Sequence, residues 1–181
     1  MQRVMVIGSG GAGKSTLAAE LAPILDLPLV HLDARHWRPG WVPTPAEEWR
    51  GIVESLAAEP RWVIDGNYGG TLDLRLARCD TVIFLDLPRL VCLWRVVKRR
   101  LRFRGRSRPD LTPGCPEQLT WEFVRWIWTY PKTRRAGILA KLRALGPNQR
   151  AIVLTSQRDI RRFLESVRAR AATPDSGLRT A

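Results

Sequence analysis

A glycine-rich turn lies between a short apolar run and a helix-favouring stretch near the start of the sequence. The segment reads MVIGSGGAGKSTLAAEL over residues 5–21 and holds four glycines within six residues. Glycine loses more conformational entropy on folding than any other residue, so a turn that only joined two elements would be weakened by so many. The backbone of this turn is therefore needed for something besides the connection.

The turn matches the pattern G-x-x-x-x-G-K-[ST] from Gly8 to Ser15. In this pattern successive backbone N–H groups surround a phosphate, and the helix that follows directs its positive end toward it. Lys14 is expected to reach the β- and γ-phosphates, and the Ser15 hydroxyl to bind Mg²⁺. The sequence therefore predicts a site for ATP and Mg²⁺. Its predicted residues are Gly8, Gly10, Gly11, Ala12, Gly13, Lys14, Ser15 and Thr16.

Short apolar runs alternate with helical stretches along the rest of the chain. Runs that lack polar alternation suit strands buried on both faces of a parallel sheet. They cover residues 3–7, 29–32, 62–64, 81–86 and 151–154. We therefore predict a doubly wound α/β domain, a five-stranded parallel sheet sandwiched by helices, whose ligands bind at the carboxyl ends of the strands.

The helix signals lie between these runs. Thr44 is predicted to cap a helix that has Pro45 at its first position and Glu47 completing a capping box. Pro131 is predicted to separate two later helices. The other predicted helices are 14–25, 90–101, 116–129, 132–145 and one capped near Ser156.

The net charge of +13 is concentrated in two segments. Residues 89–108 hold nine Lys/Arg and residues 125–150 hold seven, with no acidic residue in either. The rest of the chain has 14 basic and 17 acidic residues, so it is slightly acidic. This arrangement predicts an anionic partner close to the two basic segments.

Several classes of protein are disfavoured by what the sequence lacks. No apolar run approaches the ~20 residues of a membrane span, so no membrane partner is expected. A cleavable secretory signal would take the glycine turn with it, and the three cysteines (Cys79, Cys92 and Cys115) are odd in number. Two histidines, His31 and His36, are too few for a zinc cluster. A cytoplasmic protein with reduced thiols and no structural metal is expected.

Four stretches carry a resemblance to a known family: GSGGAGKST, HLDARHWRPGW, WVIDGNYGGTLDLRLARCDTVIFLDLPR and RRLRFRGRSRPD. They span most of residues 4–110 and resemble the P-loop adenylate kinase-like small kinases, most closely a bacterial subgroup described as adenylate kinase-related or topology-modulation proteins. The resemblance implies a P-loop NTPase fold with an arginine-rich lid. It also implies ATP-dependent transfer of a γ-phosphoryl group to a nucleoside monophosphate, most plausibly AMP.

The resemblance divides the chain into working parts. Residues 1–170 would form one kinase domain, with an acceptor-side segment at about 33–60, a lid-like segment at about 99–122 and a flexible tail at 171–181. In adenylate kinases an Asp-Gly pair precedes a segment that contacts the acceptor, and Asp65 with Gly66 matches that pair. Asn67, Tyr68 and Gly69 stand where those enzymes carry an arginine.

The chemistry of the acceptor is open between two alternatives. A phosphate acceptor needs positive charge, which Arg35, Arg38, Arg75 and Arg78 could supply. A hydroxyl acceptor benefits from a carboxylate that accepts its proton, and Asp33 at the end of the second strand suits that role unless it only caps the next turn. The predicted substrate contacts are Asp33, Arg35, Trp37, Asn67 and Tyr68.

Further residues receive roles in the same scheme. Asp65 is preferred over Asp86 as the carboxylate that faces Mg²⁺. Thr155 and Arg158 are candidates for contact with the donor base. The cluster Arg99, Arg100, Arg104, Arg106 and Arg108 could close over the triphosphate, with Arg106 and Arg108 as the individual choices.

The tryptophans suggest both pocket and core. Trp41 joins Trp37 as a candidate for stacking in the acceptor pocket, whereas Trp121, Trp126 and Trp128 have helical spacing and are predicted in the core. A third function also stays open, that of a nucleic-acid-binding protein which uses its basic segments and is switched by ATP. A GTPase is disfavoured because no Asn-Lys-x-Asp segment occurs.

Overall fold

A five-stranded sheet forms the centre of the computed structural model, which describes residues 1–172. Its strands are β1 (Arg3–Gly8), β2 (Leu29–His31), β5 (Trp62–Asp65), β6 (Thr81–Leu85) and β7 (Arg150–Leu154), and β3 (Trp37–Arg38) with β4 (Val42–Pro43) forms a separate antiparallel hairpin. The helices are α1 (Lys14–Leu25), α2 (Leu32–His36), α3 (Ala46–Ala58), α4 (Leu72–Arg78), α5 (Arg89–Arg102), α6 (Trp121–Thr133), α7 (Arg135–Arg143) and α8 (Gln157–Ala172).

All neighbouring strands of the large sheet are parallel, in the order β2-β5-β1-β6-β7. The first strand thus lies in the middle, which explains why its residues 4–7 are apolar without interruption. Because the strands are parallel, their carboxyl ends meet at one edge. That edge carries the glycine turn after β1, Asp65 at the end of β5 and Asp86 after β6. The predicted α/β fold is confirmed.

The alternation of side chains along β1 produces two cores. Val4 and Val6 pack on one face of the sheet with residues of α1, α5 and α8, whereas Met5 and Ile7 pack on the other with residues of α3, α4 and α7. All four side chains are at most 1% exposed. A strand buried on both faces needs apolar residues at odd and even positions alike, and that is the pattern the sequence shows.

The predicted capping box before α3 is wrong. Pro45 is the residue that precedes the helix, and no side chain caps the helix. Thr44 is buried, and its hydroxyl donates to the carbonyl oxygen of His36 at 2.7 Å. The hydroxyl therefore ties the β3–β4 hairpin to α2, a long-range bond that the local pattern does not reveal.

The predicted break at Pro131 is also wrong, because α6 continues through Pro131 to Thr133. The helix instead ends at Arg134, whose φ of −122° departs from helical values. At its start, the Thr120 hydroxyl accepts from the Phe123 N–H at 3.2 Å, so the helix begins five residues later than predicted. The cap predicted near Ser156 is confirmed, since its hydroxyl accepts from the Asp159 N–H at 3.1 Å.

Two further predictions concern membrane-spanning segments and the C-terminal tail. Within residues 1–172, no helix is both long enough and apolar enough to cross a bilayer. The predicted tail lies outside the described residues, apart from positions 171 and 172, which belong to α8.

Candidate active site

A cleft of about 1440 Å³ opens at the carboxyl edge of the sheet. The glycine turn and the first turns of α1 line it together with residues of α5, α6 and α8. Residues that follow β2 and β5, the β3–β4 hairpin and part of the segment between α5 and α6 also line it. The cleft therefore brings together the phosphate-binding and acceptor-side residues that the sequence predicted separately.

The glycine turn presents free donors to the cleft. Gly13 precedes α1 in a left-handed conformation (φ 98°), and neither a side-chain cap nor an acidic residue satisfies the first turn of the helix. Lys14 Nζ donates to the carbonyl oxygen of Ser9 at 3.0 Å, which folds the side chain back over the turn. Burial lowers the pKa of Lys14, and the negative charges of Asp33 and Asp65 oppose that shift. This arrangement of N–H groups and an ammonium group suits a phosphate chain.

The glycines of this turn are required by close packing behind it. A side chain at Gly8, which has a φ of 149°, would lie 2.6 Å from the carbonyl oxygen of Leu85. At Gly11 (φ 75°) a methyl group would overlap the carbonyl oxygen of Cys92 on α5. The turn is thus wedged against β6 and α5, which holds it in place before any ligand binds.

Gly11→Ala is therefore expected to lower the free energy of unfolding by about 3 kcal/mol, because the backbone oxygen it meets cannot swing away and the positive φ adds strain. Urea unfolding followed by circular dichroism measures the change. Gly137→Ala is the matched control: this glycine lies within α7 with open space around it, so the same substitution should raise stability by about 0.5–1 kcal/mol. Equal effects at the two positions would contradict the packing argument.

Asn67 supports the glycine turn. Its Oδ1 accepts from the Gly8 N–H at 3.0 Å and its Nδ2 donates to the Gly8 carbonyl oxygen at 2.5 Å. Both ends of the amide are therefore engaged by the turn, although Asn67 also lines the cleft. The sequence had predicted a substrate contact at this position.

Asp33 and Tyr68 form a pair within the cleft. The Tyr68 hydroxyl donates to Asp33 Oδ1 at 2.7 Å. Burial raises the pKa of Tyr68, and the charge of Asp33 raises it further, so the phenol stays protonated and keeps donating. Tyr68 also has a positive φ of 37°, a backbone conformation that residues other than glycine seldom adopt. The second carboxylate oxygen of Asp33 is left for another donor.

His31, which is not among the predicted site residues, lies beside the Asp33–Tyr68 pair. His31 Nδ1 is 2.6 Å from Asp65 Oδ1, and this hydrogen bond raises the pKa of His31. His31 lines the cleft, whereas Asp65 is 4% exposed and lies behind it. Asp86, the alternative candidate for facing Mg²⁺, pairs with Arg135 at 2.8 Å. The spacing H-x-D at residues 31–33 was the one available signal for His31.

The four arginines predicted on the acceptor side do not line the cleft. Arg75 is fully buried and donates to backbone carbonyl oxygens, among them that of Gly66 at 2.9 Å. Arg38 pairs with Glu48 at 2.5 Å on the surface. Arg35 is exposed, and Arg78 lines a separate surface depression. The positive charge predicted for a phosphate acceptor is therefore directed elsewhere.

A buried glutamate organises the arginines of the lid-like segment. Glu117 is 2% exposed; its Oε1 lies 2.9 Å from Arg99 Nε, and its Oε2 lies 2.8 Å from Arg108 Nε. Arg108 Nη1 also lies 3.2 Å from Asp110. Arg99 and Arg108 line the cleft, but Arg106 is exposed and outside it. The structure thus brings one of the two preferred arginines to the cleft.

The lid-like segment is attached to the acceptor side by four hydrogen bonds. The Gly40 N–H donates to the Gly114 carbonyl oxygen at 2.9 Å, and Trp41 Nε1 donates to that of Pro116 at 3.0 Å. The hydroxyl of Thr112 and the thiol of Cys115 complete the set. They donate to the carbonyl oxygens of Ala34 at 2.9 Å and Arg38 at 3.2 Å. We call these four bonds the lid–hairpin contact.

The predicted donor-base residues lie outside the cleft. Thr155 donates through its N–H and its hydroxyl to Asp159, and Arg158 is exposed. Gln157 lines the cleft instead and accepts from Arg95 Nη2 at 2.6 Å. Arg95 in turn donates through Nη1 to the Ala12 carbonyl oxygen at 3.0 Å, which links α5, α8 and the glycine turn.

The aromatic residues divide differently from the prediction. Trp37 and Trp41, the two tryptophans predicted for an acceptor pocket, line the cleft with ring centroids 5.4 Å apart. Trp126 packs against both cores, but Trp121 and Trp128 are 74% and 45% exposed, so the prediction that they belong to the core is wrong. Helical spacing shows that residues share a face but does not show which way the face points.

Solved structures with the same architecture were found. They include shikimate kinases from Bacteroides thetaiotaomicron (TM-score 0.55, 18% identity, 95% of this chain and 99% of that one) and, in complex with shikimate, from Acinetobacter baumannii (0.57, 18%, 92% and 90%). A gluconokinase from Sinorhizobium meliloti is also similar (0.52, 16%, 94% and 91%). The chain has the P-loop NTPase fold.

The fold is shared at low sequence identity. No protein-family model matches the chain, and no curated protein is significantly similar to it in sequence. Within residues 1–172, no three His, Cys, Asp or Glu side chains are grouped so as to hold a metal ion by themselves.

Proposed function

We propose that this protein is an ATP-dependent kinase that transfers the γ-phosphoryl group of Mg-ATP to a hydroxyl group of a small metabolite. The observation that carries the proposal is the Asp33 carboxylate in the cleft, held by Tyr68 at 2.7 Å with its other oxygen available. A carboxylate in that position orients an incoming hydroxyl and accepts its proton as the phosphoryl group moves to the oxygen.

ATP fits the phosphate-binding turn for reasons of charge and geometry. The uncapped N–H groups of the first turn of α1 and the ammonium group of Lys14 would hold the β- and γ-phosphates. Ser15 would bind Mg²⁺ through its hydroxyl. The ion would bind together with ATP and neutralise part of the phosphate charge. Asp65 would contact that ion through a water molecule. Thr16 and the glycines complete the donor set. We propose that residues 99–122 form a lid. Arg99 and Arg108 in this segment would stabilise the negative charge that develops on the phosphoryl group during transfer.

The positions of the four arginines predicted on the acceptor side favour a hydroxyl acceptor over a phosphate. A nucleoside monophosphate carries two negative charges at pH 7, yet Arg35, Arg38, Arg75 and Arg78 all lie away from the cleft. Arg108, on the lid side, is already paired with Glu117 and Asp110. The similarity of fold to kinases named for shikimate and gluconate, both hydroxylated small molecules, points the same way.

AMP is the second candidate acceptor, and one observation favours it. Trp37 and Trp41 line the cleft on the acceptor side, and their rings could stack on a purine base. The proposal for AMP then requires Arg108 to leave its two carboxylates and bind the acceptor phosphate. Hydroxyl and phosphate acceptors make opposite demands on Asp33, so one substitution separates them.

The test is ADP release from ATP and Mg²⁺ with a panel of acceptors: shikimate, gluconate, other sugar acids and polyols, AMP and the other nucleoside monophosphates. We expect turnover that depends on a hydroxylated acceptor. Asp33→Asn should lower kcat by about 10²–10⁴-fold, because the amide cannot accept the proton. It should change the apparent KM for ATP little, since Asp33 lies on the acceptor side.

Asp26→Asn is the matched control, since Asp26 is an exposed aspartate at the end of α1 and outside the cleft. It should leave kcat unchanged. Turnover with AMP that survives Asp33→Asn would replace the hydroxyl proposal with the nucleotide one. ATP hydrolysis that no acceptor stimulates would overturn both.

A further inference from the structure

The outward face of α5 carries an apolar ridge. Leu90, Trp94, Val97 and Leu101 recur every three or four residues and so lie along one side of the helix. They are 66%, 68%, 41% and 71% exposed, whereas Val96 on the opposite side is fully buried. A surface helix ordinarily turns its single apolar stripe toward the core. In α5 a second stripe points away from the described part of the chain.

Helix α6 extends this apolar surface with two tryptophans. Trp121 and Trp128 are seven residues apart and therefore share one face, which is exposed. α5 and α6 pack against each other and bury Val96 and Ile127 in the same core, so their outward faces lie side by side. The Arg89 guanidinium lies 3.8 Å above the Trp128 ring and joins the two helices. We call the six exposed side chains, Leu90, Trp94, Val97, Leu101, Trp121 and Trp128, the α5–α6 ridge.

Positive charge flanks the ridge on both sides. At 100° per residue, Lys98 and Arg102 lie on one flank of the α5 stripe, and Arg89 and Arg100 on the other. Arg125 lies between the two tryptophans of α6 and is exposed. Residues 89–108 contain no acidic side chain at all. The α5 stripe is therefore apolar along its crest and has only cationic charged residues on its flanks, whereas α6 carries one exposed acidic residue, Glu122, next to Trp121.

We propose that the α5–α6 ridge docks onto the surface of an anionic lipid bilayer, with both helices lying in the plane of the interface. Leucine and valine side chains would enter the boundary between headgroups and acyl chains, and the indoles would lie at headgroup depth. The exposed Lys98, Arg102 and Arg125 side chains would extend from the flanks to the lipid phosphates, whereas Arg100 donates to the carbonyl oxygen of Glu117. The sequence predicts no membrane partner because it has no segment that could span a bilayer. A surface that docks onto a bilayer without crossing it needs no such segment.

Other occupants match the ridge less well. A second copy of the chain would bring two cationic flanks face to face. Nucleic acid would use the arginines but would leave Leu90, Val97 and Leu101 without partners. A protein partner ordinarily meets charges of both signs in a complementary pattern, whereas the charges beside the α5 stripe are all positive. A uniformly negative plane with an apolar layer beneath it satisfies both halves of the surface.

The experiment is co-sedimentation of the full chain with vesicles of phosphatidylcholine alone or with 30% phosphatidylglycerol, at about 0.1 M salt and again at about 0.5 M. We expect binding to the anionic vesicles at least about tenfold tighter than to neutral ones, weakening as salt rises. Tryptophan fluorescence should shift to shorter wavelength on binding, because indoles leave water.

Variants separate the ridge from general basicity. Trp94→Ser and Leu101→Ser should each weaken vesicle binding by about tenfold or more, since each removes a side chain that would enter the interface. Both are exposed, so thermal unfolding should be nearly unchanged. Val153→Ser is the matched control, because Val153 is 42% exposed but lies on β7, away from the ridge. It should bind vesicles like the unmodified chain.

Three results would overturn the proposal. The first is equal binding to neutral and anionic vesicles, or binding to neither. The second is unchanged anionic-vesicle binding in Trp94→Ser and Leu101→Ser, which would reduce the interaction to charge alone. The third is evidence for another occupant. Self-association that sedimentation velocity detects and that Trp94→Ser abolishes would assign the surface to a second copy of the chain. Binding of duplex DNA without binding of vesicles would assign it to nucleic acid. Kinase turnover enters none of these readouts, so the proposed function can fail independently.

Discussion

Arg75→Met is expected to lower the free energy of unfolding by about 3–5 kcal/mol. Arg75 is fully buried, and its guanidinium donates to the carbonyl oxygens of Gly66, Asn67, Tyr68 and Thr71. Methionine fills a similar volume but leaves these buried oxygens without donors, and each loss costs about 1–3 kcal/mol. Burial lowers the pKa of Arg75 to about 10, so the side chain remains charged near neutral pH.

The loss should also reach the cleft. The chain that Arg75 fixes contains Asn67, which holds the glycine turn, and Tyr68, which holds Asp33. Activity should therefore fall in Arg75→Met at temperatures where the variant is still folded. Urea unfolding and a kinase assay on the same sample measure the two effects.

Arg78→Met is the matched control for this prediction. Arg78 lies one turn later on α4 and is exposed, so its replacement should change stability by less than about 0.5 kcal/mol. Arg75→Lys should fall between the two, because one ammonium group cannot meet four carbonyl oxygens in a fork. If Arg75→Met and Arg78→Met destabilise the protein alike, the buried network does not have the role described.

Lys14→Ala is expected to lower kcat by at least about 10²–10³-fold. An ammonium group aimed at the β- and γ-phosphates stabilises charge that grows as the phosphoryl group leaves, and removing one such donor typically costs that much. Asp33 and Asp65 favour the charged form of Lys14 against the effect of burial, and phosphates would do the same. Steady-state kinetics with the acceptor found in the panel measures the loss.

Lys132→Ala is the control, since Lys132 is exposed on α6 and does not line the cleft. Its turnover should match that of the unmodified chain. Because Lys14 also donates to Ser9, thermal unfolding of Lys14→Ala should be recorded to separate loss of the turn from loss of charge. Turnover within tenfold of the unmodified chain, in a folded Lys14→Ala, would exclude a phosphate role for this lysine.

The sheet and the phosphate-binding turn could be predicted because their signals are local. A strand such as β6 is a continuous apolar run, and the turn from Gly8 to Ser15 is a fixed spacing of residue types. The predicted limits of α1 coincide with the observed ones, and those of β1 and β7 differ by one residue. For these elements the physical cause lies within a few positions of the residues that it affects.

The acceptor side could not be predicted in the same way, because its decisive contacts join distant positions. Glu117 and Arg99 are eighteen residues apart, and His31 and Asp65 thirty-four. The sequence suggests that each arginine is available to bind an anionic ligand. In the structure, however, Arg75 donates to backbone carbonyl oxygens and Arg38 pairs with Glu48. Whether a cation faces a ligand or a neighbour depends on packing, which residue type and spacing do not encode.

The lid–hairpin contact has a thermodynamic consequence. Trp41 and Gly40 belong to the acceptor side, but their partners Pro116 and Gly114 follow Arg108, the arginine that we propose to face the phosphates. A movement of the lid toward ATP would therefore displace the acceptor-side hairpin as well. In that case each substrate should raise the affinity for the other, and by reciprocity the two factors must be equal. The two ligands would then communicate through four hydrogen bonds without touching one another.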